Sequence, residues 1–321
     1  MYTKIYSPQK NSHIIAILSS LLVILIKGNN MKYSLFLGCT IPARSRNYEL
    51  SARAVAAELG LEFIDIEGFS CCGFPLEASD EMGAILLAAR NLALAEEMNL
   101  EICSLCSACT SMLTKTAYHL NKDRELRDTV NHELSKLGRT YKGTARVRHF
   151  ARILIEDIGL EKIKNSVTRD LKGLKVATHY GCHYLKPSYI YEGFDDPQDP
   201  KTLEEILEAV GAVNIQYRRK KDCCGGPVLL SDEAVALRLA EEKLKYVKEA
   251  GADIMNLVCP FCDLMFDSNQ KGIEAKFGLE LNIPVLYLPQ IIGLAMGLDR
   301  KELGLNLNSV NTKDLTARLE V

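Results

Sequence analysis

Short apolar runs alternate along the chain with longer segments in which apolar residues recur at helical spacing. Residues 33–37 and 175–179 form two such runs, and each leads into a Gly-Cys pair. Residues 62–66 and 213–217 predict a second strand in each region. Strands that alternate with helices are typical of a parallel α/β sheet. We therefore predict an α/β protein with a small parallel sheet in each of two halves.

Helix boundaries recur in the same way. Gly60 and Gly211 are predicted to close the helices before these second strands, because glycine adopts the left-handed C-cap without strain. The triplet Ser-Asp-Glu occurs at 79–81 and again at 231–233. In each triplet the serine is predicted to be the N-cap of a long helix, and the acidic residues suit the positive end of the helix dipole.

Ten of the eleven cysteines form a pattern that occurs twice. Each copy contains a lone cysteine, then Cys-Cys-Gly, then CxxC. The corresponding positions are Cys39 and Cys182, Cys71 and Cys223, Cys72 and Cys224, Cys106 and Cys259, and Cys109 and Cys262. The offset is 143 at the lone cysteine and 152 or 153 at the others, because an insertion rich in Pro and Asp follows Cys182. The two halves are therefore a duplication, and we expect them to be pseudo-symmetric.

The duplication sets the predicted domain boundaries. Residues 31–165 form the first cysteine-rich domain, with a largely helical insert, and residues 166–321 form the second. Residues 1–30 contain an apolar run of 13 residues, which is shorter than the roughly 20 that a spanning helix needs. We interpret them as a doubtful N-terminal extension before a start at Met31. A membrane anchor is the alternative, and the run also resembles the apolar part of a signal peptide without its cleavage site.

Composition narrows the class of protein. Hydrophobic residues make up 47% of the chain and its net charge is −2, which fits a globular protein and argues against a nucleic-acid partner. Neighbouring cysteines are poor disulfide partners because their Cβ atoms diverge. Metal ligation in a reducing compartment is the better interpretation, so we expect a cytoplasmic protein that does not associate with a membrane.

Five patterned cysteines in each half exceed the four ligands of a structural zinc site. Thiolates that converge from separate loops suit iron–sulfur clusters. The glycine after each Cys-Cys pair allows the backbone to turn closely around a cluster. We therefore favour an iron–sulfur protein, and a zinc-stabilised scaffold or a thiol–disulfide exchange protein are the alternatives.

The residues around the cysteines carry a family resemblance. They are Phe36-Leu37-Gly38-Cys39, His179-Tyr180-Gly181-Cys182-His183, and the run Val258-Cys259-Pro260-Phe261-Cys262-Asp263-Leu264-Met265-Phe266-Asp267. From Met31 onward, over about 290 residues, the chain resembles the family of the B subunit of the coenzyme B–coenzyme M (CoB–CoM) heterodisulfide reductase of methanogenic archaea. Each half matches the CCG domain of that family.

The resemblance implies two non-cubane [4Fe-4S] clusters. One would be held by Cys39, Cys71, Cys72, Cys106 and Cys109, and the other by Cys182, Cys223, Cys224, Cys259 and Cys262. It also implies an oxidoreductase of methanogenesis that reduces the mixed disulfide of coenzyme M and coenzyme B to two thiols. Two clusters beside one S–S bond can each receive a sulfur, so the reaction needs no side-chain nucleophile.

The resemblance further implies two partners, the iron–sulfur C subunit and the flavoprotein A subunit of the heterodisulfide reductase, which supply electrons. Related CCG domains also serve in lactate, glycolate and glycerol-phosphate oxidation. An electron-transfer component of such an oxidoreductase is therefore the alternative function.

Five cationic residues near the cysteines are candidate contacts for the anionic substrate that the resemblance implies. They are Arg44, Arg46, Lys186, Arg218 and Arg219. A solvated surface is the alternative for the basic run at 218–221.

His179 and His183 flank Cys182. Either is a candidate to hydrogen-bond sulfide or to deliver a proton to a leaving thiolate, and a structural role is the alternative. Cys103 matches no cysteine of the other half. We expect it to be a small buried hydrophobe, and an extra ligand is the alternative.

Overall fold

Two four-stranded parallel sheets form the framework of the molecule, which a computed structural model describes over residues 31–320. The interpretation of residues 1–30 lies outside the described residues. The strands of the first sheet are β1 Met31–Phe36, β2 Leu61–Ile64, β3 Glu101–Ser104 and β4 Val147–His149. Those of the second are β5 Lys175–His179, β6 Val213–Asn214, β7 Ile254–Leu257 and β8 Val285–Tyr287. The predicted α/β class with one small parallel sheet in each half is confirmed.

Helices follow the strands in both halves. The first half contains α1 Thr40–Arg44, α2 Arg46–Glu58, α3 Glu81–Glu97, α4 Ser107–Lys122, α5 Arg124–Ser135, α6 Phe150–Ile153 and α7 Leu160–Asn165. The second contains α8 Thr202–Ala209, α9 Glu233–Glu249, α10 Pro260–Asp263, α11 Gln270–Phe277, α12 Leu288–Ala295 and α13 Lys313–Arg318. A π-helical turn continues α6 over Leu154–Ile158 and α10 over Leu264–Ser268.

Both sheets have the same strand order, β2-β1-β3-β4 and β6-β5-β7-β8. Ser34 of β1 lies opposite Ile64 and Ile102, and Val176 of β5 lies opposite Asn214 and Ile254. The loops after β1, β2 and β3, and after β5, β6 and β7, therefore leave the same edge of their sheets, where ligands of such sheets bind. All ten patterned cysteines lie in these loops or at the helix starts that follow them.

The fourth strands β4 and β8 are the main element that the sequence analysis missed. Each has only three residues, so its apolar pattern is too short to separate from the helix that follows. Each extends its sheet at the edge next to the CxxC strand. The largely helical insert that we predicted in the first domain thus contains one strand of the first sheet, β4.

The segments that follow the fourth strands cross to the other half. Helix α12, which follows β8, packs on α2 of the first half, while α6 and α7, which follow β4, pack on α8 of the second. Tyr287 at the end of β8 stacks on Tyr48 of α2, with ring centroids 3.9 Å apart. This exchange buries apolar helix faces between the halves and turns the two cysteine-bearing edges toward each other.

The long helices α3 and α9 begin at equivalent places, but their N-caps differ from the prediction. Asp80 accepts a hydrogen bond from the Gly83 backbone N–H at 2.9 Å, and Asp232 accepts one from Val235 at 3.0 Å. Aspartate caps as well as serine does, so the Ser-Asp-Glu triplet left two cap candidates one residue apart. The preceding serines instead donate to carbonyl groups three residues back.

Across residues 31–320, no helix combines the length and apolar character that a membrane crossing requires.

Candidate metal centres

The two Cys-Cys-Gly loops have the same local geometry. In the first loop the Gly73 N–H points at Cys71 Sγ, 3.5 Å away, and in the second the Gly225 N–H points at Cys223 Sγ, 3.4 Å away. The Gly226 N–H also lies 3.3 Å from Cys224 Sγ. Backbone N–H groups aimed at sulfur stabilise the thiolate form, which is the form that binds a metal.

Glycine is required at both loops because the backbone presses on the next helix. Gly73 has a φ of 92° and Gly225 a φ of 88°. A Cβ on Gly73 would lie 2.4 Å from the carbonyl oxygen of Ala84 in α3. A Cβ on Gly225 would lie 2.7 Å from that of Ala236 in α9. The adjacent cysteines are thus held against the starts of α3 and α9.

The CxxC motifs open helices α4 and α10, and the turns of the lone cysteines lie over them. A Cβ on Gly38, next to Cys39, would lie 2.9 Å from Cys109 Sγ. A Cβ on Gly181, next to Cys182, would lie 3.6 Å from Cys262 Sγ. Each half therefore brings together the three separate parts of its cysteine pattern.

Nine of the ten patterned thiols form one continuous line of contacts across the molecule, whereas the Cys39 thiol is exposed and lies 3.7 Å from Thr40 Oγ1. In order, the line contains Cys71, Cys72, Cys109, Cys106, Cys259, Cys262, Cys224, Cys223 and Cys182. The contact between Cys106 and Cys259 crosses from one half to the other. The two cysteine sets thus face each other.

Thiols this close cannot all ionise without a counter-charge. Hydrogen bonds from the Cys109 and Cys71 thiols lower the pKa of Cys72 to about 4. In the second half the Cys182 thiol is the largest cause that lowers the pKa of Cys223 to about 2. The pKa of Cys71 and that of Cys182 are raised in turn. A second thiolate in either set needs positive charge, which the irons of a cluster provide, so the donor sets fit that cofactor.

Cys103 lies apart from these sets. It is fully buried in β3, opposite Leu35 of β1 and Arg148 of β4. Burial raises the pKa of its thiol well above the usual value. The position suits the small buried hydrophobe that we expected.

His183 lines a narrow cleft between the two halves. Its ring packs edge-on against Phe74, with centroids 4.8 Å apart, and its Nδ1 is buried without a hydrogen-bond partner among the described residues. The cleft is also lined by Ser107, Cys182 and Phe261. Burial lowers the pKa of the His183 imidazole.

The cationic candidates lie outside this cleft lining. Arg44, Arg46 and Lys186 are exposed, and the Lys186 carbonyl accepts a hydrogen bond from Ser111 at 3.4 Å. Arg218 lies over the ring of Tyr246, with its guanidinium carbon 4.9 Å from the centroid.

Two further members of the basic run, Arg219 and Lys220, are paired with carboxylates. Arg219 forms ion pairs with Asp222 and Glu242. Lys220 is buried and pairs with Glu204 at 2.8 Å. Sequence spacing alone does not show these carboxylates, most of which come from distant helices.

Asn91 and Lys243 support the Cys-Cys loops, and the sequence analysis missed both. They correspond at the offset of 152, and each side chain ties down the loop before its Cys-Cys pair. Asn91 accepts from the Ser70 N–H at 2.9 Å and donates to the Cys71 carbonyl at 3.0 Å. Lys243 donates to the carbonyl groups of Arg219 and Asp222, both at 2.7 Å. The repeat itself was the signal that could have found this pair.

Comparison with known proteins agrees with the geometry. The cysteine-rich domain family called CCG matches the chain twice, at residues 33–114 and 176–267. The B subunit of a ferredoxin/F420H2-dependent CoB–CoM heterodisulfide reductase from Methanosarcina acetivorans is 37% identical over 90% of this chain and 97% of its own length. The membrane anchor subunit of an 8-methylmenaquinol:fumarate reductase from Wolinella succinogenes is 33% identical over 88% of this chain and 99% of its own.

A structure of a hypothetical protein from Helicobacter pylori has the same fold, with a TM-score of 0.73 over 95% of this chain and 58% of that one, at 17% identity. The fold and the two cysteine sets define an iron–sulfur protein of the CCG class. Within that class, the chain belongs to the family of the CoB–CoM heterodisulfide reductase B subunits.

Proposed function

We propose that this chain is the iron–sulfur component that reduces the mixed disulfide of coenzyme M and coenzyme B to the two thiols. The observation that carries the proposal is the meeting of the two cysteine sets at one interface, where Cys106 contacts Cys259. The 37% identity to a heterodisulfide reductase B subunit, over 97% of its length, supports it. Reduction consumes two electrons and two protons for each S–S bond that is broken.

Each cysteine set holds one non-cubane [4Fe-4S] cluster in this proposal. Cys39, Cys71, Cys72, Cys106 and Cys109 belong to domain 31–165, and Cys182, Cys223, Cys224, Cys259 and Cys262 to domain 166–321. The clusters would supply the two electrons one at a time. The reciprocal packing of α12 on α2 and of α7 on α8 holds the two sets at a fixed separation.

The chain's own residues shape the site for a disulfide. Phe74 from the first half and Phe261 from the second, with ring centroids 5.9 Å apart, form apolar walls that exclude water. His183 lines the same cleft beside Phe74, and its Nδ1 has no hydrogen-bond partner within the described residues. In the proposal this imidazole takes up a proton from solvent and passes it to one leaving thiolate.

The substrate's anionic groups lie toward solvent. Arg44, Arg46 and Lys186 are the better candidates to bind them, because they are exposed and follow the lone cysteines directly. Arg218 and Arg219 are the weaker candidates in the proposal, since Tyr246, Asp222 and Glu242 occupy their charged ends.

Electrons would reach this chain from the iron–sulfur C subunit of the reductase, which the flavoprotein A subunit reduces. The relatives are named as the B subunits of heterodisulfide reductases, which supports such partners. We place the complex in the cytoplasm, where a reducing environment keeps the thiols available.

The test uses the anaerobically purified complex with a competent electron donor and the heterodisulfide. The expected result is the release of both thiols. A His183→Phe variant keeps the edge-on contact with Phe74 but loses the donor, and turnover should fall by about 100-fold with unchanged iron and sulfide. A matched His132→Gln variant, at an exposed position of α5, should keep full turnover. A reduced complex that leaves the heterodisulfide intact contradicts the proposal.

The second candidate function is electron transfer in another oxidoreductase. Similarity to the membrane anchor subunit of the fumarate reductase and to lactate utilization protein A 2 of Bacillus cereus, which is 25% identical over 84% of this chain, favours it. In that case the clusters would be reduced and reoxidised without thiol release, and His183→Phe would leave electron transfer unchanged.

A further inference from the structure

The last residues of the two central strands differ in a way that affects only one cysteine set. Strand β1 ends at Phe36 and β5 ends at His179, and both positions lie three residues before the lone cysteine of their half. Both side chains are buried. The duplicated backbone thus presents a hydrocarbon ring in one half and an imidazole in the other.

The two rings occupy the same place. A Cβ on Gly38 would lie 3.6 Å from Phe36 Cε1, and a Cβ on Gly181 would lie 3.6 Å from His179 Nε2. The same Gly181 Cβ would lie 3.6 Å from Cys262 Sγ. The Nε2 atom of His179 therefore replaces a ring C–H of Phe36 at the equivalent position beside the CxxC sulfur.

His179 lies beside two sulfurs of the second set. One ring nitrogen of His179, Cys224 Sγ and Cys262 Sγ all lie within 4.8 Å of one another. The side chain is 1% exposed, and Nε2 has no hydrogen-bond partner among the described residues. A buried ring nitrogen without a partner is costly unless a further group satisfies it.

The other ring nitrogen determines where the imidazole carries its proton. His179 Nδ1 lies 3.3 Å from Lys243 Nζ. That ammonium is otherwise surrounded by acceptors, the carbonyl oxygens of Arg219, Lys220 and Asp222 at 2.7, 3.2 and 2.7 Å. An N–H on Nδ1 would point at this ammonium and be repelled by it, so we assign the ring proton to Nε2 and leave Nδ1 as an acceptor that shares an ammonium hydrogen with a carbonyl.

The first half lacks both parts of this arrangement. Phe36 has no polar atom on its ring, and Asn91 is the residue that corresponds to Lys243. The Asn91 amide bonds the Ser70 N–H and the carbonyl groups of Cys71 and Leu87, so it is fully used within its own loop and helix. The first cysteine set therefore receives neither the ring N–H nor the nearby ammonium charge.

We propose that His179, oriented by Lys243, donates its Nε2–H to a sulfur of the second centre, and thereby gives the two centres different reduction potentials. A hydrogen bond to a cluster sulfur stabilises the reduced, more negative state. The second centre is accordingly the easier one to reduce. This inference rests on the proposed assignment of one cluster to each cysteine set.

The experiment measures the potential of each centre by spectroscopically monitored redox titration of the anaerobic protein. Cys72→Ser and Cys224→Ser variants, which each remove one centre, assign the two signals to their halves. His179→Phe copies the first half and removes the donor. His179→Gln keeps an amide N–H near the position of Nε2 and is the matched control. Iron and sulfide are measured for every variant.

His179→Phe should make the second centre about tenfold harder to reduce, which is about 59 mV for a one-electron couple, and leave the first centre unchanged. His179→Gln should restore most of that shift. An unchanged potential in His179→Phe with full iron content overturns the inference. Loss of second-centre iron in both variants also overturns it, because it assigns His179 as a ligand or a structural support.

If His179→Phe loses iron but His179→Gln does not, the reciprocal variant Phe36→His provides the test. Phe36→His places an imidazole beside the first centre, and its potential should rise. No rise overturns the inference. A wild-type protein without iron and sulfide contradicts the proposed function instead, so the two failures are distinct.

Discussion

The two halves of the molecule share their backbone at the cysteines but differ in the side chains behind it. Both halves hold the Cys-Cys pair against a helix through a left-handed glycine, Gly73 or Gly225, with N–H groups aimed at sulfur. Behind the pair, the first half has Phe36 and Asn91, whereas the second has His179 and Lys243. Duplication has thus kept the geometry that binds a cluster and changed the groups that set its electrostatic environment.

The largest expected effect comes from removing one buried cysteine of either set. Cys72→Ser should abolish the first centre and Cys224→Ser the second, so each variant should lose about half of the iron and sulfide, because thiolate is the required ligand. Metal and acid-labile sulfide analysis measures the loss. Cys103→Ala, outside both sets, is the control and should retain the full content. Simultaneous loss of both centres in either variant would show that the halves are not independent sites.

The next largest effect concerns the glycines that press on α3 and α9. Gly73→Ala and Gly225→Ala should each lower the free energy of unfolding by about 3 kcal/mol, because the new Cβ meets a backbone carbonyl oxygen at 2.4 or 2.7 Å. Gly73→Ala should be the worse of the two. Gly211→Ala, with a φ of 84° and open space around it, should cost only about 1 kcal/mol of backbone strain. Denaturant titration compares the three, and equal losses would refute the role of the close contact.

A smaller effect is a pH dependence of the free energy of unfolding that involves β4 but not β8. His149 at the end of β4 accepts from the Ala151 N–H and donates from Nε2 to the Val258 carbonyl of the other half, at 3.1 Å each. Burial lowers its pKa to about 4. Tyr287, at the matching end of β8, does not titrate in this range.

In the unfolded state His149 takes up a proton near pH 6.5, whereas in the folded state it does so only near pH 4. The free energy of unfolding therefore decreases as pH falls from about 6.5 to about 4. The loss is about 1.4 kcal/mol for each pH unit. His149→Gln keeps a donor for Val258 and should be less stable at pH 7.5, yet fall less steeply toward pH 5.5. Parallel slopes for the variant and wild type would remove His149 as the cause of the pH dependence.

The smallest expected effect is on the KM for the heterodisulfide, and it should differ between Arg44 in the first half and Arg218 in the second. Arg44→Ala should raise the KM for the heterodisulfide about fivefold, the effect of roughly 1 kcal/mol expected from an exposed charge. Arg218→Ala should leave KM unchanged, because its guanidinium lies over Tyr246. Steady-state kinetics of the complex measure both values. A larger effect of Arg218→Ala than of Arg44→Ala would indicate that the substrate's anionic groups bind at the second half.

The repeat made much of the site predictable. Cysteines at a constant offset, each after a short apolar run, predict loops at the carboxyl edge of two parallel sheets, and Gly60 and Gly211 have the left-handed φ values of 73° and 84° expected at helix ends. These features depend on local backbone chemistry, which the sequence expresses directly.

The remaining features depend on tertiary contacts. Strands β4 and β8 are three residues long and are defined by their neighbours, not by their own pattern. The exchange of α12 onto α2 and of α7 onto α8 involves residues far apart in the chain. From its sequence the basic run at 218–221 could be a free cationic surface, but in the structure Arg219 pairs with Asp222 and Lys220 pairs with Glu204. Such pairings cannot be deduced from spacing.

The most direct test of the two-centre assignment is the metal content of the wild-type chain, purified without oxygen. Iron and acid-labile sulfide are measured together with zinc, and then again in Cys72→Ser and Cys224→Ser. The assignment predicts iron and sulfide in equal amounts, divided equally between the two halves. Zinc without sulfide, or an iron content that only one cysteine set controls, would contradict it.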